Sequence, residues 1–252
     1  MKNTLGVIPA RMASSRFPGK PLKKILNIPM LAHCYERALL SGACDNLVIA
    51  TPDQEIIDWA TQFEIPSVLT SHSHKRATER AKETLDILTN DGLHYDLVLL
   101  LQGDEPQIFP EDIGNLKQAF SNNELEVVNL VFPLSDDGLE DPNVVKVALD
   151  KNLTIHFFSR SHIPHDCISG YRQLGMIGLT KKALNDYVSL LPTVLEEVES
   201  IDMMRFIEND FSIQGVLSTS PILGVDTQQD LKKVEKIMTN DKFVNLYKEK
   251  YI

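Results

Sequence analysis

The chain has few of the residues and segments that mark whole classes of protein. It holds three scattered cysteines in 252 residues, Cys34, Cys44 and Cys167, which argues against a disulfide framework and indicates free thiols in a reducing compartment. It has no signal-peptide pattern and no apolar run of roughly 18 residues, so we expect a cytoplasmic protein without a membrane span. Basic residues number 25 against 35 acidic ones, a net charge of −10, which disfavours nucleic-acid binding.

What is present is an ordinary globular composition, 43% hydrophobic, in which strand-like and helix-like segments alternate. Predicted strands cover 5–10, 47–51, 66–70, 97–101, 127–133, 144–149, 154–158, 174–179 and 211–217. Predicted helices cover 30–41, 53–63, 77–88, 111–120, 182–190, 194–209 and 227–238. The order indicates an α/β fold, a mostly parallel sheet with helices on both faces. The strands around Asp150-Lys151-Asn152 predict a β-hairpin, inserted over 141–175 in a single domain of 1–252.

The first strand ends in a loop that combines cations with small residues. Arg11, Arg16 and Lys20 are separated there by Ala13, Ser14, Ser15 and Gly19. Such a loop lets backbone N–H groups and fixed cations converge on phosphates, which is the interpretation we favour. A plain basic turn on the surface is the competing interpretation.

A second feature lies where the predicted strand 97–101 ends in Gln-Gly-Asp-Glu-Pro. The strand is a continuous apolar run, typical of a strand buried on both faces. Ligands of open α/β sheets bind at the carboxyl ends of such strands, and near phosphates a carboxylate there typically holds Mg²⁺. Asp104 is the candidate, although an Asp after Gly103 also suits a simple turn. Glu105 is equally a second ligand or a solvated side chain.

Asp226 is a third candidate, between a strand and the helix predicted over 227–238. Aspartate is common at helix starts, which is its ordinary explanation. Thr227 can fill the cap position instead, in a Thr-x-x-Asp pattern with Asp230, and this leaves Asp226 spare. Two carboxylates distant in sequence can share one metal with triphosphate oxygens.

These motifs together resemble the CMP-sugar synthetases, most closely the 3-deoxy-manno-octulosonate (Kdo) and 8-amino-Kdo cytidylyltransferases. The resemblance runs in the family's order over nearly the whole chain, and the first loop with Gln-Gly-Asp-Glu-Pro is its most specific part. It is carried by residues 8–22, 78–80, 101–106, 141–146, 158–164 and 225–231.

The resemblance implies a Rossmann-like nucleotidyltransferase fold, a homodimer and a reaction of CTP with an acidic sugar that yields a CMP-sugar and pyrophosphate. Such a product would serve lipopolysaccharide or capsule polysaccharide synthesis. It implies Mg²⁺ as cofactor on Asp104 and Asp226, and Lys20, Arg11 and Asp104 as catalytic residues. The implied nucleotide-binding residues are Ala10, Arg11, Ser14, Ser15, Arg16, Lys20, Arg76, Thr78, Arg80 and Gln102.

The implied acceptor-binding residues are Gln102, Arg160, Gln173, Asp202 and Met203, and three of them depart from the family's pattern. Gln173 stands where the family typically has His, Asp202 where it has Glu, and Met203 where it has Gln. A site built to hydrogen-bond a hydroxyl discriminates strongly against ligands that cannot match it. We therefore predict the same reaction on a related 2-keto sugar acid or another small anionic acceptor. Segment 141–175 is expected to contribute to this acceptor site and to a dimer contact.

Other polar segments have plainer interpretations. His72 and His74 are expected in a solvated loop, with a metal or phosphate loop over 72–76 as the less favoured alternative. Glu196, Glu197 and Glu199 are expected on a solvated helix face. Met203 and Met204 also suit packing or dimer contacts. Two competing functions stay open: a cytidylyltransferase acting on a phosphonate or phosphate acceptor, and a nucleotide-binding protein without the activity.

Overall fold

The structure is a computed structural model that describes residues 2–14, 16–122, 124–218 and 220–252. Its strands are β1 Thr4–Pro9, β2 Lys24–Ile25, β3 Ile28–Pro29, β4 Asn46–Thr51, β5 Ser67–Leu69, β6 Leu97–Leu101, β7 Val127–Ser135, β8 Lys146–Leu149, β9 Thr154–Ser159, β10 Ser169–Thr180 and β11 Ile213–Leu217. Its α-helices are α1 Met30–Leu40, α2 Gln54–Gln62, α3 Ala77–Asn90, α4 Pro110–Ala119, α5 Asp136–Leu139, α6 Lys181–Ser189, α7 Val194–Glu199, α8 Met203–Ile207 and α9 Gln228–Met238. Short 3₁₀ turns cover Lys20–Leu22, Val244–Leu246 and Lys248–Lys250.

The chain forms two compact units. The first contains the residues up to Gly114 together with Ile222–Ile252, and the second contains Asn115–Pro221. The single domain over 1–252 and its insertion over 141–175 stay predictions. Within the described ranges, no helix combines the length and apolar character needed to cross a membrane.

The first unit is built on four parallel strands in the order β5-β4-β1-β6. All five residues of β6 and the first five of β1 are buried, as expected for strands covered on both faces. Because the strands are parallel, their carboxyl ends meet at one edge, from which the loops after Pro9 and Leu101 emerge. This arrangement confirms the predicted α/β fold in this unit.

A two-stranded hairpin, β2 with β3, follows the first loop and was not predicted. Each strand has only two residues, too few for an alternation to be visible in the sequence. The turn between them places Leu26 and Asn27 at φ 51° and 66°, the left-handed pair that matches the twist of a tight hairpin. The hairpin packs its Ile25 and Ile28 against Val234 of α9 in one apolar cluster.

The second unit pairs its strands in the order β10-β7-β11-β9-β8, with β8 also bonded to β10. Only β7 and β11 run parallel among these described pairs. The β8–β9 hairpin confirms the prediction for 144–149 and 154–158. The strand predicted over 174–179 is longer, because its polar amino-terminal half bonds to both β7 and β8 and has no alternation.

The helix predicted over 194–209 is wrong in its continuity. The structure has two short helices, α7 and α8, and Ser200 between them adopts a left-handed conformation with φ 57°. The amide of Ser200 still bonds to the Glu196 carbonyl, so α7 ends in a capped turn. Apolar spacing continued through this break, which is why the sequence favoured one helix.

Candidate active site

The loop after β1 folds back on itself before it reaches Lys20. The Met12 amide donates to Asp53 Oδ2 at 2.7 Å, and the Gly19 amide donates to the Met12 carbonyl at 3.1 Å. Gly19 has φ 70°, a conformation that glycine adopts without a steric penalty, and it starts the 3₁₀ turn that carries Lys20. The turn therefore aims one lysine away from the exposed part of the loop.

Lys20 lies between two carboxylates that are far apart in sequence. Its Nζ is 2.7 Å from Asp104 Oδ2 and 3.3 Å from Asp226 Oδ1, and it donates to the Val225 carbonyl at 2.8 Å. Burial by itself lowers the pKa of Lys20, but the charges and hydrogen bonds of Asp104 and Asp226 outweigh it, so the pKa is raised. Lys20 is therefore a fixed cation at any physiological pH. Arg16 adds a second ion pair to Asp226, at 3.1 Å.

A second group of cations lies at the amino terminus of α3. Arg80 is buried, and its guanidinium donates to Thr70 Oγ1 and, at 3.2 Å, to the Ser71 carbonyl. Burial and, next, the positive charge of Arg11 lower the pKa of Arg80. Two guanidinium groups that repel one another beside a helix amino terminus form a site prepared for an anion.

These groups line one cavity of about 310 Å³, the size of a small-molecule site. The lining residues are Pro9, Ala10, Arg11, Ser14, Arg16, Lys20, Pro21, His74, Lys75, Arg76, Ala77, Arg80, Gln102, Gly103, Asp104 and Asp226. All of them belong to the first unit. The cavity has the charge and size to take a polyphosphate joined to a nucleoside.

Most of the predicted nucleotide-binding residues lie in this lining, with two exceptions. Thr78 is fully buried in the first turn of α3 and does not line the cavity, and Ser15 lies outside the described residues. His74 and Lys75 were missed. His74 is half-buried against Glu83 at 2.6 Å, where we expected a solvated loop. Their position just before a predicted helix, beside the predicted binding residue Arg76, was the available signal.

Asp104 and Asp226 also fit a divalent cation. Their oxygens converge on a single ammonium group, and each side chain is about a third exposed, at 35% and 39%, so the pair faces the cavity. Thr227 caps α9 by accepting from the Asp230 amide, as predicted, so the Asp226 carboxylate is not needed as the helix cap. One or two carboxylates combined with phosphate oxygens and water is the set of ligands that Mg²⁺ commonly takes.

In the second unit, the guanidinium of Arg160 is held by backbone carbonyls. Its Nε donates to the Glu199 carbonyl at 2.9 Å and its Nη1 to the Pro142 carbonyl at 3.1 Å. Its own carbonyl accepts from Lys146, and its amide donates to Glu199 Oε2 at 2.8 Å. Two backbone carbonyls fix the guanidinium, and a fixed guanidinium suits recognition of a carboxylate.

The Gln173 amide is fixed in one orientation. Asn129 is buried, and its Nδ2 donates to the carbonyls of Leu174 and Met176 at 2.9 and 3.1 Å, which leaves its Oδ1 to accept. Gln173 Nε2 donates to that oxygen at 2.6 Å. Because Asn129 presents its oxygen, Gln173 places its amide nitrogen at this contact and its own oxygen on the opposite side.

The two remaining acceptor candidates lie at the start of α8. Asp202 is the residue that precedes the helix, and Met203 has no exposed surface. Their roles toward an acceptor stay predictions, as do those of Arg160 and Gln173.

The prediction of a solvated glutamate face on α7 is wrong for Glu196 and Glu199. Glu196 is buried in a bidentate ion pair with Arg205, with distances of 2.6 and 2.7 Å. Glu199 accepts from Ser159 Oγ at 2.8 Å as well as from Arg160. The sequence favoured a solvated face because glutamates mixed with valines are typical of an exposed helix surface. The arginine and hydroxyl groups that bind Glu196 and Glu199 come from other elements, so the local pattern does not show them.

Comparison with known proteins agrees with this geometry. The sequence pattern of the family described as "Cytidylyltransferase" matches residues 5–215. The chain is 36% identical to the 3-deoxy-manno-octulosonate cytidylyltransferase of Thermodesulfovibrio yellowstonii, over 93% of this chain and 98% of that protein. It is 37% identical to the protein of the same name from Fusobacterium nucleatum, over 91% and 94%.

Solved structures give the same result at the level of the fold. A CMP:2-keto-3-deoxy-manno-octonic acid synthetase complexed with CTP superposes with a TM-score of 0.86 at 31% identity, over 95% of this chain and 99% of that one. A glucose-1-phosphate thymidylyltransferase from Bacillus anthracis, described as putative in its name, shares the fold alone, with a TM-score of 0.71 at 18% identity over 96% and 99%. Sequence pattern, relatives and fold lead to one conclusion: the chain belongs to the cytidylyltransferase family and is a nucleotidyltransferase.

Proposed function

We propose that this protein transfers CMP from CTP to a hydroxyl group of a Kdo-like 2-keto sugar acid and releases pyrophosphate, with Mg²⁺ as cofactor. Relatives that are similar over nearly their whole length carry the name 3-deoxy-manno-octulosonate cytidylyltransferase, and a solved neighbour is a complex with CTP. The observation that carries the proposal is Lys20, which is held between Asp104 and Asp226 at the floor of a cationic cavity.

The cations of the cavity would bind the triphosphate and orient it for displacement at the α-phosphorus. Arg11 and Arg80 lie near the amino terminus of α3, whose amides add positive potential. Arg16 and Lys20 lie at the carboxylate end. Holding both ends of the chain of phosphates aligns the leaving pyrophosphate opposite the incoming hydroxyl, and positioning is the larger part of such catalysis.

Asp104 and Asp226 would hold Mg²⁺, which when bound neutralises phosphate charge and makes the acceptor hydroxyl more acidic. Lys20 would then exchange its carboxylate partners for phosphate oxygens. Lys20 now pairs with Asp104 and Asp226, so it lies beside the two residues that would hold the metal. Its charge would stabilise the pyrophosphate as that group leaves.

The acceptor would be recognised in the second unit by an arginine held in place and by an oriented amide. Arg160 would pair with the carboxylate of the sugar acid, and Gln173 would hydrogen-bond one of its hydroxyl groups. The changes at Gln173, Asp202 and Met203 would set the preference among related sugar acids.

The protein would act as a homodimer in the cytoplasm, which sedimentation and cell fractionation can test.

Release of pyrophosphate from CTP tests the proposal directly. Purified protein would be assayed with and without Mg²⁺ against Kdo, 8-amino-Kdo, nonulosonic acids and small phosphonates. Asp104→Ala should abolish turnover, and Asp91→Ala, which removes an exposed carboxylate at the end of α3, should leave it unchanged.

Each outcome of this assay has a distinct meaning. Turnover of Kdo or another sugar acid supports the proposal, and the ratio between them shows what the acceptor residues select. Turnover of phosphonates alone would show that the acceptor is another small anion and not a sugar acid. CTP binding without turnover of any acceptor would contradict the proposed activity.

A further inference from the structure

Two residues of the loop between β9 and β10 and one residue after α5 form a cluster of chemically active side chains that the proposed reaction does not use. Cys167 Sγ lies 3.3 Å from Nε2 of His162, and Nδ1 of the same ring lies 2.6 Å from Oε1 of Glu140. All three residues belong to the second unit. Thiol, imidazole and carboxylate in this order are the arrangement in which a cysteine is activated as a nucleophile.

The hydrogen bonds around His162 determine where its protons lie. The carboxylate of Glu140 only accepts, so Nδ1 carries a proton. Nε2 is also 3.1 Å from the Cys167 carbonyl oxygen, a second group that only accepts. Nε2 therefore lies between a carbonyl oxygen and the thiol, where it can take the proton of that thiol.

The sulfur is also reachable. Cys167 is half-buried, and Ile168 beside it is 80% exposed, so the loop stands at the surface. The neighbouring carboxylate of Asp166 is itself 3.2 Å from Nε2 of His165, a second imidazole. Cys34 gives the contrast, because it is fully buried and burial raises the pKa of its thiol well above the usual range.

We propose that Cys167, with His162 and Glu140, is a thiol-exchange site that reacts with small disulfides and becomes a mixed disulfide. His162 Nε2 takes the thiol proton, and Cys167 Sγ attacks one sulfur of the disulfide. A bond forms between Sγ and that sulfur as the original sulfur–sulfur bond breaks. The other half leaves as a thiolate and takes the proton from His162, so the small disulfide is reduced and Cys167 is oxidised. Attack on a disulfide needs no oxyanion hole, which is why we infer exchange rather than acyl transfer.

The rate of reaction with an aromatic disulfide that releases a coloured thiolate tests the proposal on the full-length protein. An ordinary thiol is only a few per cent ionised at neutral pH, so Cys167 should react about tenfold faster than Cys44, the other half-buried cysteine. Cys167→Ser should remove the fast phase, and the matched Cys44→Ser variant should keep it. Glutathione disulfide followed by mass spectrometry should place the adduct on Cys167.

Two variants separate activation from simple exposure. His162→Gln should slow the Cys167 phase about tenfold while the Cys44 phase is unchanged, and Glu140→Gln should slow it less. Glu140 is 80% exposed, so its replacement leaves the fold intact even if the histidine variant is unstable. Equal rates at Cys167 and Cys44 in the unmodified protein, or a Cys167 rate unchanged in both variants, would overturn the proposal. None of these measurements involves CTP, so they are independent of the proposed activity.

Discussion

Lys20 in the first unit and Lys146 in the second are both largely removed from water, but they are held by opposite kinds of partner. Lys20 is bound by Asp104, Asp226 and one carbonyl, and its pKa is raised. Lys146 is fully buried and donates to three carbonyls, those of Asp141, Val144 and Arg160. Desolvation, only partly offset by nearby acids, lowers the pKa of Lys146.

The difference shows how the fold separates a working cation from a structural one. The carboxylates around Lys20 are the ones that we propose for Mg²⁺, and a lysine that loses them to a metal would be free to pair with phosphate. The carbonyls around Lys146 belong to the loop before β8 and to the end of β9, so the lysine cannot leave without freeing both segments. A mutation of Lys20 should therefore affect activity, and a mutation of Lys146 should affect stability.

The largest effect is expected from Lys20→Met. Removing a charge that stabilises the leaving group typically costs on the order of 10² to 10³ in rate, so kcat with CTP should fall by that factor. The melting temperature should stay within a few degrees of the unmodified protein, because the freed carboxylates remain part-exposed. Lys24→Met, on the exposed side of β2, is the matched control. A large loss of stability with full activity per folded molecule would contradict the functional role of Lys20.

Lys146→Met should have the reverse profile. It leaves three carbonyls without their donor, each costing about 1 kcal/mol, so the free energy of unfolding should fall by about 3 kcal/mol. Denaturant titration measures this loss, with Lys151→Met in the hairpin turn as an exposed control. An unchanged denaturation midpoint would show that Lys146 does not support the loop around Arg160.

The buried side chain of His33, in the first unit, should make the stability of the protein depend on pH. It is buried between the Ile25 carbonyl and the Tyr247 hydroxyl, and burial lowers its pKa to about 4. The unfolded chain binds a proton there near pH 6.5 and the folded protein does not. Stability from the neutral ring is therefore complete above about pH 6.5 and falls by about 3 kcal/mol as the pH drops to 4. Denaturant titrations at both pH values should show a flatter dependence in His33→Gln than in His156→Gln, whose histidine is exposed. Equal slopes would contradict the lowered pKa.

The smallest effect is expected from Gln173→His, which restores the residue typical of the resembling family. Gln173 is oriented by Asn129, and a ring at this position offers different donors to an acceptor. The ratio of kcat/KM between Kdo and the preferred acceptor should change by about tenfold. The KM for CTP, whose cavity is lined by residues of the first unit, should stay the same. A change in CTP affinity alone would argue against an acceptor role for Gln173.

Local patterns predicted most of the elements, and the errors have a common cause. Strands such as β6 and helices such as α3 were confirmed because their apolar spacing is set by their own residues. The break at Ser200 and the burial of Glu196 were missed because they depend on residues from elsewhere, such as Arg205 on α8. The hairpin β2–β3 was too short to give any periodic signal.

The family resemblance, the α/β alternation and most of the cavity residues could be predicted from the sequence, because a cation-rich loop after one strand and a carboxylate after another are local features of the chain. Which charged side chains meet depends on the packed fold. It brought Asp226 to Asp104 across more than a hundred residues, placed Lys20 between them, and set His162 beside Cys167. Charged side chains interact when they lie close together in space, and these distances are set only when the strands and helices pack.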